Sequence, residues 1–276
     1  MHLTGMMIKA FAPGNVSCIF RIVDGKFDRH SLGVGFTVDK GVIVSVSKAK
    51  RTRIYANGKR IRFPTVKTVI KELTDENVKV EIKDQLPAGI GFGISGASAI
   101  ATAYAINKLL KLGKSKKHLA MVAHNAEVLN GTGLGDVGGQ FNGGFNMKVK
   151  RGRPLDCINL SIKGVVYYAF FSKISTKKII NSKLKKKRIN KAGDRALKRI
   201  IALKDKTLKD VIRISRDFSL ESGLLKDKKV KYLIKNIENK GGNASMIMLG
   251  NAVYSDKPFK GCKKLKISTT AARLLK

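Results

Sequence analysis

The chain has 276 residues, with 56 Lys and Arg against 19 Asp and Glu, a net charge of +37. Apolar residues make up 43%, enough to bury one large core or two small ones, and this excludes a disordered polycation. Cys18, Cys157 and Cys262 stand far apart with no CxxC pair, which argues against a disulfide framework or a zinc site and for a reduced, cytoplasmic setting.

The first third alternates in the manner of strands, as in Met7–Phe11, Val42–Ser47 and Val78–Ile82. Asn57-Gly58, flanked by Ile54-Tyr55 and Ile61, reads as a hairpin turn. Pro87 to Gly96 is a loop with four glycines, and Ala97 to Leu112 reads as a helix closed by Gly113. Ser115 is placed to cap a second helix running to Leu129. A second glycine-rich stretch covers Gly131 to Gly144. Beyond residue 160 the pattern restarts with a buried strand, Val165–Phe171, and a basic helical region over 176–204. Shorter helical patterns follow at 207–218 and 227–239, then strands near Ser245–Leu249 and Ala252–Ser255. The restart divides the chain into two expected domains, 1–160 and 161–276. No apolar run approaches the roughly 18 residues that span a bilayer, and no leader pattern opens the chain, so no membrane partner is expected.

The charge is uneven. Residues 1–150 carry 23 basic and 10 acidic side chains, and residues 151–276 carry 33 and 9. No Lys or Arg occurs between Lys83 and Lys108, nor between Lys117 and Lys148. From Gln85 to Leu155 the only acids are Glu127 and Asp136. Stretches emptied of charge in so charged a chain should be buried or form a site. A nucleic-acid binder interleaves cations with aromatics. Here aromatics are 7% and Trp is absent, so the Lys183–Lys191 run reads as a solvated helix face. No specific nucleic-acid partner is expected, although a basic binding protein stays as the remote alternative.

The sharpest motif is Pro87-Ala-Gly-Ile-Gly91-Phe-Gly93-Ile-Ser95-Gly96-Ala97-Ser98. Its glycines let backbone N–H groups turn around an anion, and the helix that follows adds unpaired N–H groups and a positive dipole end. It lacks the Gly-Lys-Ser/Thr ending of a Walker loop. It contains GxGxxG, but Pro87 to Ile90 separate the strand from Gly91 and no acid follows at the ribose position.

The whole string resembles the second signature of the GHMP kinases, P-x-x-x-G-[LI]-G-S-S-[AG]-A. Pro87, Gly91, Gly93, Ser95, Gly96 and Ala97 match in register, with Phe92 and Ile94 as departures. Ala12-Pro13-Gly14 resembles the first signature, and Gly241-Gly242-Asn243-Ala244-Ser245 a reduced third. Within the family, A-E-V-x-x-x-T-G-L-G-D-V over 126–137 with a following Gly-Gly resembles the archaeal pantoate kinases. So do Pro13-Gly14-x-[IV]-[ST] and Ser31-x-Gly33-x-Gly35.

The resemblance implies an α+β, two-domain fold. The amino-terminal domain would be like the second domain of ribosomal protein S5, and the other a ferredoxin-like sandwich. It implies ATP and Mg²⁺ as cofactors, with phosphates over Pro87, Gly89, Gly91, Gly93, Ser95, Gly96, Ala97 and Ser98. Ser95 and Glu127 would hold Mg²⁺, and Asp136 would accept the proton of the substrate hydroxyl. Ser31, His124 and Lys148 would face a small hydroxy acid, pantoate first, with homoserine or a mevalonate derivative as alternatives. The family tends to carry Arg where Lys148 stands. Without the resemblance, Glu127 reads as a solvated helix end, Asp136 as a turn residue, Ser95 as a helix cap, His124 as a structural histidine and Lys148 as an exposed lysine. No role falls to Asn15. A homodimer is compatible with the sequence.

Overall fold

The computed structural model describes residues 6–25, 29–174, 179 and 182–276. Two long antiparallel strands, β1 (Ile8–Val23) and β2 (His30–Lys48), form the spine of the first sheet. Along its second half β2 pairs with β5 (Val78–Asp84), and along its first half with β6 (Phe145–Lys148). The turn expected at Asn57-Gly58 joins β3 (Arg53–Ala56) and β4 (Lys59–Arg60), with both turn residues at positive φ. β3 runs parallel to β5, and the two-residue β7 (Ile158–Asn159) extends the sheet beyond β6.

Four helices follow: the second and fourth pack on this sheet, and the first and third pack against the second. α1 (Pro64–Leu73) lies where the strand reading of the first third saw no helix. Its signal is Pro64 in the first turn and buried Val66, Val69 and Ile70 at helical spacing. α2 (Ile94–Leu109) begins three residues earlier than the sequence suggests, because the left-handed Gly93 ends the loop directly before Ile94. It is buried on nearly every side, which explains its want of charge. α3 (Lys116–Asn130) is capped by the Ser115 hydroxyl, which accepts from the His118 N–H at 3.2 Å, and ends at left-handed Gly131. The stretch read as a glycine-rich loop contains a further helix, α4 (Asp136–Asn142).

After β7 the chain builds a second sheet, antiparallel throughout, in the order β11-β8-β10-β9. These are β8 (Val165–Lys173), β9 (Ala244–Met246), β10 (Gly250–Ser255) and β11 (Lys263–Lys266). β8 is buried only in its first half: Val166 and Tyr168 are enclosed, whereas Phe170 and Phe171 are exposed. Of the helices α5 (Lys183–Ala202), α6 (Leu208–Glu221) and α7 (Lys228–Asn239), the last two pack on this sheet, and α5 packs between α6 and strand β1 of the first sheet. Residues 176–178 and 180–181 of the expected basic helical region lie outside the described residues. Within α5, Lys183, Lys185, Lys187 and Lys191 are exposed, and Ile189, Ala192, Ala196 and Ile200 are buried. The chain ends by returning to the first sheet, where β12 (Arg273–Leu274) pairs with β1. The architecture is a two-domain α+β fold, with a mixed first sheet and an antiparallel second one. No helix among the described residues is long and apolar enough to cross a membrane.

The two sheets meet through aromatic packing. Phe36 of β2 stacks on Phe145 of β6 at 5.1 Å and meets Tyr254 of β10 edge-on at 5.9 Å. All three are buried. Phe36→Ala should cost about 3–5 kcal/mol through lost burial and an unfilled cavity, measured by urea unfolding. A loss below about 1 kcal/mol would show that the contact between the sheets lies elsewhere.

Candidate active site

β1 is irregular between Pro13 and Asn15 and again between Ser17 and Ile19. Those two breaks in register bracket Asn15 and Ser17 and aim both side chains at α4. The Asn15 amide donates to Oδ1 of Asp136 at 2.8 Å, and the Ser17 hydroxyl donates to the same oxygen at 3.3 Å. Asp136 is the first residue of α4 rather than part of a loop. Helix α4 is rich in glycine because other groups press on it. A Cβ on Gly139 would lie 2.3 Å from Oδ1 of Asn15, and one on Gly138 would lie 2.7 Å from the Pro154 carbonyl. Gln140 donates to the Gly93 carbonyl at 2.8 Å. Asp136 itself abuts Gly93, with its carboxyl carbon 2.9 Å from where a Cβ on that glycine would stand. The acid and the first glycine-rich loop are therefore neighbours. Burial pushes the Asp136 carboxyl above its ordinary 3.8, and the Asn15 and Ser17 hydrogen bonds and the Lys148 charge oppose that.

Glu127 sits near the end of α3, is 1% exposed and is no solvated helix end. Its Oε1 accepts from the Thr132 hydroxyl at 2.5 Å. Burial raises its pKa to about 7, against the lowering effect of the Ser95 and Thr132 hydrogen bonds. Beside Oε2 the chain is pared to glycine: Cβ atoms on Gly133 and Gly96 would stand 2.1 and 3.2 Å from it. Ser95, in the first turn of α2, donates to the Thr65 hydroxyl at 3.3 Å.

Of the proposed phosphate residues, Gly89, Gly91, Gly93 and Ser95 line a cleft of about 390 Å³ together with Phe63, Glu127, Thr132, Asp136 and Met248. Gly93, the N-cap, has no side chain to satisfy the N–H groups that open α2. Pro87, Gly96, Ala97 and Ser98 do not line the cleft. The Ser98 hydroxyl is buried and donates to the Ile94 carbonyl at 2.8 Å. The Gly241-Gly242 pair lies away from the cleft, in a basic hollow with Arg199, Lys209, Arg213 and Arg216. The part of the second domain that reaches the cleft is instead Met248-Leu249, in the turn between β9 and β10.

A second pocket adjoins the first. Asn15, Ser17, Ser31, Gly35, Gly135, Asn146, Lys148 and Cys157 line it. Ser17 borders both cavities, and its partner Asp136 borders the cleft. Lys148, at the end of β6, is 6% exposed and donates to the Pro154 carbonyl at 2.7 Å. It is no surface lysine. Burial lowers its pKa to about 8, and the nearby Cys157 and Asp136 hold it up. His124 on α3 is 2% exposed; burial, then the Lys148 charge, lower its pKa to about 4. Sequence reasoning missed Asn15, Ser17 as a ligand of Asp136, Thr65, Thr132 and Gln140. The Asn15 signal was its place directly after Pro13-Gly14.

Among the described residues, no group of three or more His, Cys, Asp and Glu could hold a metal ion by itself. Comparison with known proteins fits this geometry. The GHMP kinases N terminal domain matches residues 61–144, which include the glycine-rich loop, Glu127 and Asp136. The pantoate kinase of Methanocaldococcus jannaschii is 31% identical over 252 residues, covering 88% of this chain and 90% of that protein. The chain belongs to the GHMP kinase family. As a GHMP kinase it is an ATP-dependent phosphotransferase. It is also similar to the pantoate kinase of Thermococcus kodakarensis, 28% identical over 91% of this chain and 87% of that protein. Its fold matches a structure described as a phosphotransferase related to the CoA biosynthesis pathway. The TM-score is 0.84 at 24% identity, over 98% of each chain.

For this GHMP kinase the buried histidine gives a stability test. The folded pKa of His124 is depressed from 6.5 to about 4, so the fold favours the neutral ring. That stability is present above pH 6.5 and is lost as pH falls toward 4, about 3 kcal/mol in full. His124→Gln should remove that part of the acid sensitivity, read as unfolding free energy against pH. An unchanged profile would place His124 in solvent.

Proposed function

We propose that this kinase transfers the γ-phosphoryl group of ATP to the primary 4-hydroxyl of pantoate, making 4-phosphopantoate for coenzyme A synthesis. The observation that carries the reading is that two cavities share Ser17, whose partner Asp136 borders the cleft, with glycine-rich backbone lining the cleft and a buried lysine lining the second pocket. The full-length similarity to pantoate kinases supports the choice of acid.

ATP would lie in the cleft with its phosphates over Gly89, Gly91, Gly93 and the N-terminus of α2. Mg²⁺ prefers hard oxygens and keeps few protein ligands, sharing the rest with phosphates and water. The donor set fits this: the Ser95 hydroxyl and the Glu127 carboxylate are hard oxygens that both line the cleft. The cation would neutralise charge on the phosphates. Asp136 accepts the proton of the attacking hydroxyl. Asn15 and Ser17 engage only Oδ1, which leaves Oδ2 for the substrate. Burial strengthens the carboxylate as a base. Lys148 provides positive charge for the substrate carboxylate, and Ser31 and neutral His124 supply further polar groups on that side. Ser31, Asn146 and Lys148 line that pocket, whereas His124 lies outside the lining, close enough to feel the Lys148 charge.

Turnover should be measured at moderate salt, where nonspecific adhesion of polyanions to the +37 surface is screened. Pantoate should be phosphorylated in preference to homoserine and mevalonate; turnover of none of the three would end the assignment. Asp136→Asn should lower kcat by roughly 10²–10⁴ with the fold intact, and wild-type turnover would show that Asp136 is not the base. Lys148→Ala should raise KM for the acid about 10- to 100-fold while Lys148→Arg restores most of it. Equal KM values in all three proteins would remove Lys148 from the acid site.

A further inference from the structure

Thr65 is fully buried at the start of α1, a helix with no part in the glycine signatures. Its hydroxyl joins two residues that arrive from different elements. Ser95, from α2, donates to Thr65 at 3.3 Å. Thr65 in turn lies 3.0 Å from the Thr132 hydroxyl, and Thr132 donates to Oε1 of Glu127 at 2.5 Å. Four side chains thus form one line, Ser95–Thr65–Thr132–Glu127.

The direction of that line is set by its end. An ionised carboxylate only accepts, so Thr132 must spend its single proton on Glu127. Thr132 can then only accept from Thr65, and Thr65 can only accept from Ser95. The single Ser95 proton can instead be donated to the Glu127 carboxylate, a second bond that competes with the one to Thr65. A cation held between Ser95 and Glu127 would displace that second bond. A hydroxyl that ligates a cation must turn its lone pairs to the metal and its proton away, and Thr65 offers that proton an acceptor. The same line occupies Oε1, while Oε2 is seated against the backbone of Gly96 and Gly133, which have no Cβ to displace it, and Glu127 lines the cleft.

We propose that Thr65 is a positioning residue: its hydroxyl, bridging Ser95 and Thr132, orients the lone pairs of Ser95 and the carboxylate of Glu127 toward a divalent cation that accompanies the nucleotide. This rests on the reading of Ser95 and Glu127 as the cation-holding pair. α1 is also tied to α3 by the Asn130 amide, which donates to Thr68 at 3.0 Å, so Thr65 has a rigid base. Phe63, directly before α1, lines the nucleotide cleft, so the helix that positions the cation pair also borders the nucleotide.

The test measures Mn²⁺ binding to the full chain with ADP by electron paramagnetic resonance. Thr65→Val is nearly isosteric and removes only the hydroxyl; Thr65→Ser keeps it. Partners that orient metal ligands typically contribute 10–100-fold in affinity. Thr65→Val should weaken Mn²⁺ at least tenfold with KM for pantoate unchanged, and Thr65→Ser should bind as wild type. In a Ser95→Ala background Thr65→Val should have a much smaller effect, because it would act through Ser95. Wild-type Mn²⁺ affinity in folded Thr65→Val, or failure of Thr65→Ser to restore it, overturns the proposal. Should Thr65→Val not fold, Thr132→Val carries the same prediction and the same refutation. Absence of Mn²⁺–ADP binding in the wild-type protein would instead reject the underlying assignment of Ser95 and Glu127.

Discussion

The contact on which the site depends is the approach of the irregular segment of β1 to the glycines of α4. Asp136 is half-buried, and a carboxylate drawn out of water needs donors to remain ionised. The donors in contact with it through side-chain hydrogen bonds, Asn15 and Ser17, are neutral and come from a strand over a hundred positions earlier in the chain. They reach it only because Gly139 has no side chain, since a Cβ there would fall 2.3 Å from Asn15. Gly33 and Gly35 let the neighbouring strand β2 close on the same irregular segment: Cβ atoms there would lie 2.2 and 2.7 Å from the Ile19 and Val16 carbonyls. One irregular strand clasped between glycines therefore fixes the acid. It also brings the acid against Gly93 and the start of α2.

The charge of +37 belongs to the outside of this arrangement. Among the described residues, Lys148 is the buried lysine, and the windows without cations around it fold into α2, α3 and α4. Away from bulk water each charge is little screened, so the one cation near Asp136 opposes the rise that burial imposes on its pKa, and under the proposed function the same cation would meet an anionic substrate. The lysine-rich helix α5 presents most of its cations to water, with Lys186 paired to Asp24 at 2.6 Å. Such a field can draw in anions such as ATP. It does not specify the chemistry.

Much of this was legible in the sequence, for identifiable reasons. Alternation announced β2 and β5, Ser115 announced the start of α3, and Asn57-Gly58 announced its turn, because each rests on contacts between near neighbours. Glu127 and Asp136 stood out as lone acids in a stretch otherwise free of charge. What stayed hidden depends on partners distant in the chain. Asn15 has no visible role until β1 breaks register beside α4. Lys148 looks like any lysine until the Pro154 carbonyl covers it. Thr65 acquires meaning only when α1 packs against α2 and α3. Helix α4 escaped because glycine has poor helix propensity, and tertiary crowding overrode that. Gly241-Gly242 misled in the opposite sense, resembling a signature while lying away from the cleft, with Met248-Leu249 reaching it instead.

The central claim is that Asp136 divides a nucleotide cleft from an acid pocket. A crystal structure with a non-hydrolysable ATP analogue and pantoate tests it most directly. The account predicts the γ-phosphate over the Gly89–Gly93 loop, the pantoate carboxylate on the Lys148 side, and the 4-hydroxyl at Oδ2 of Asp136. Both ligands on one side of Asp136, or pantoate bound away from Lys148, would contradict it.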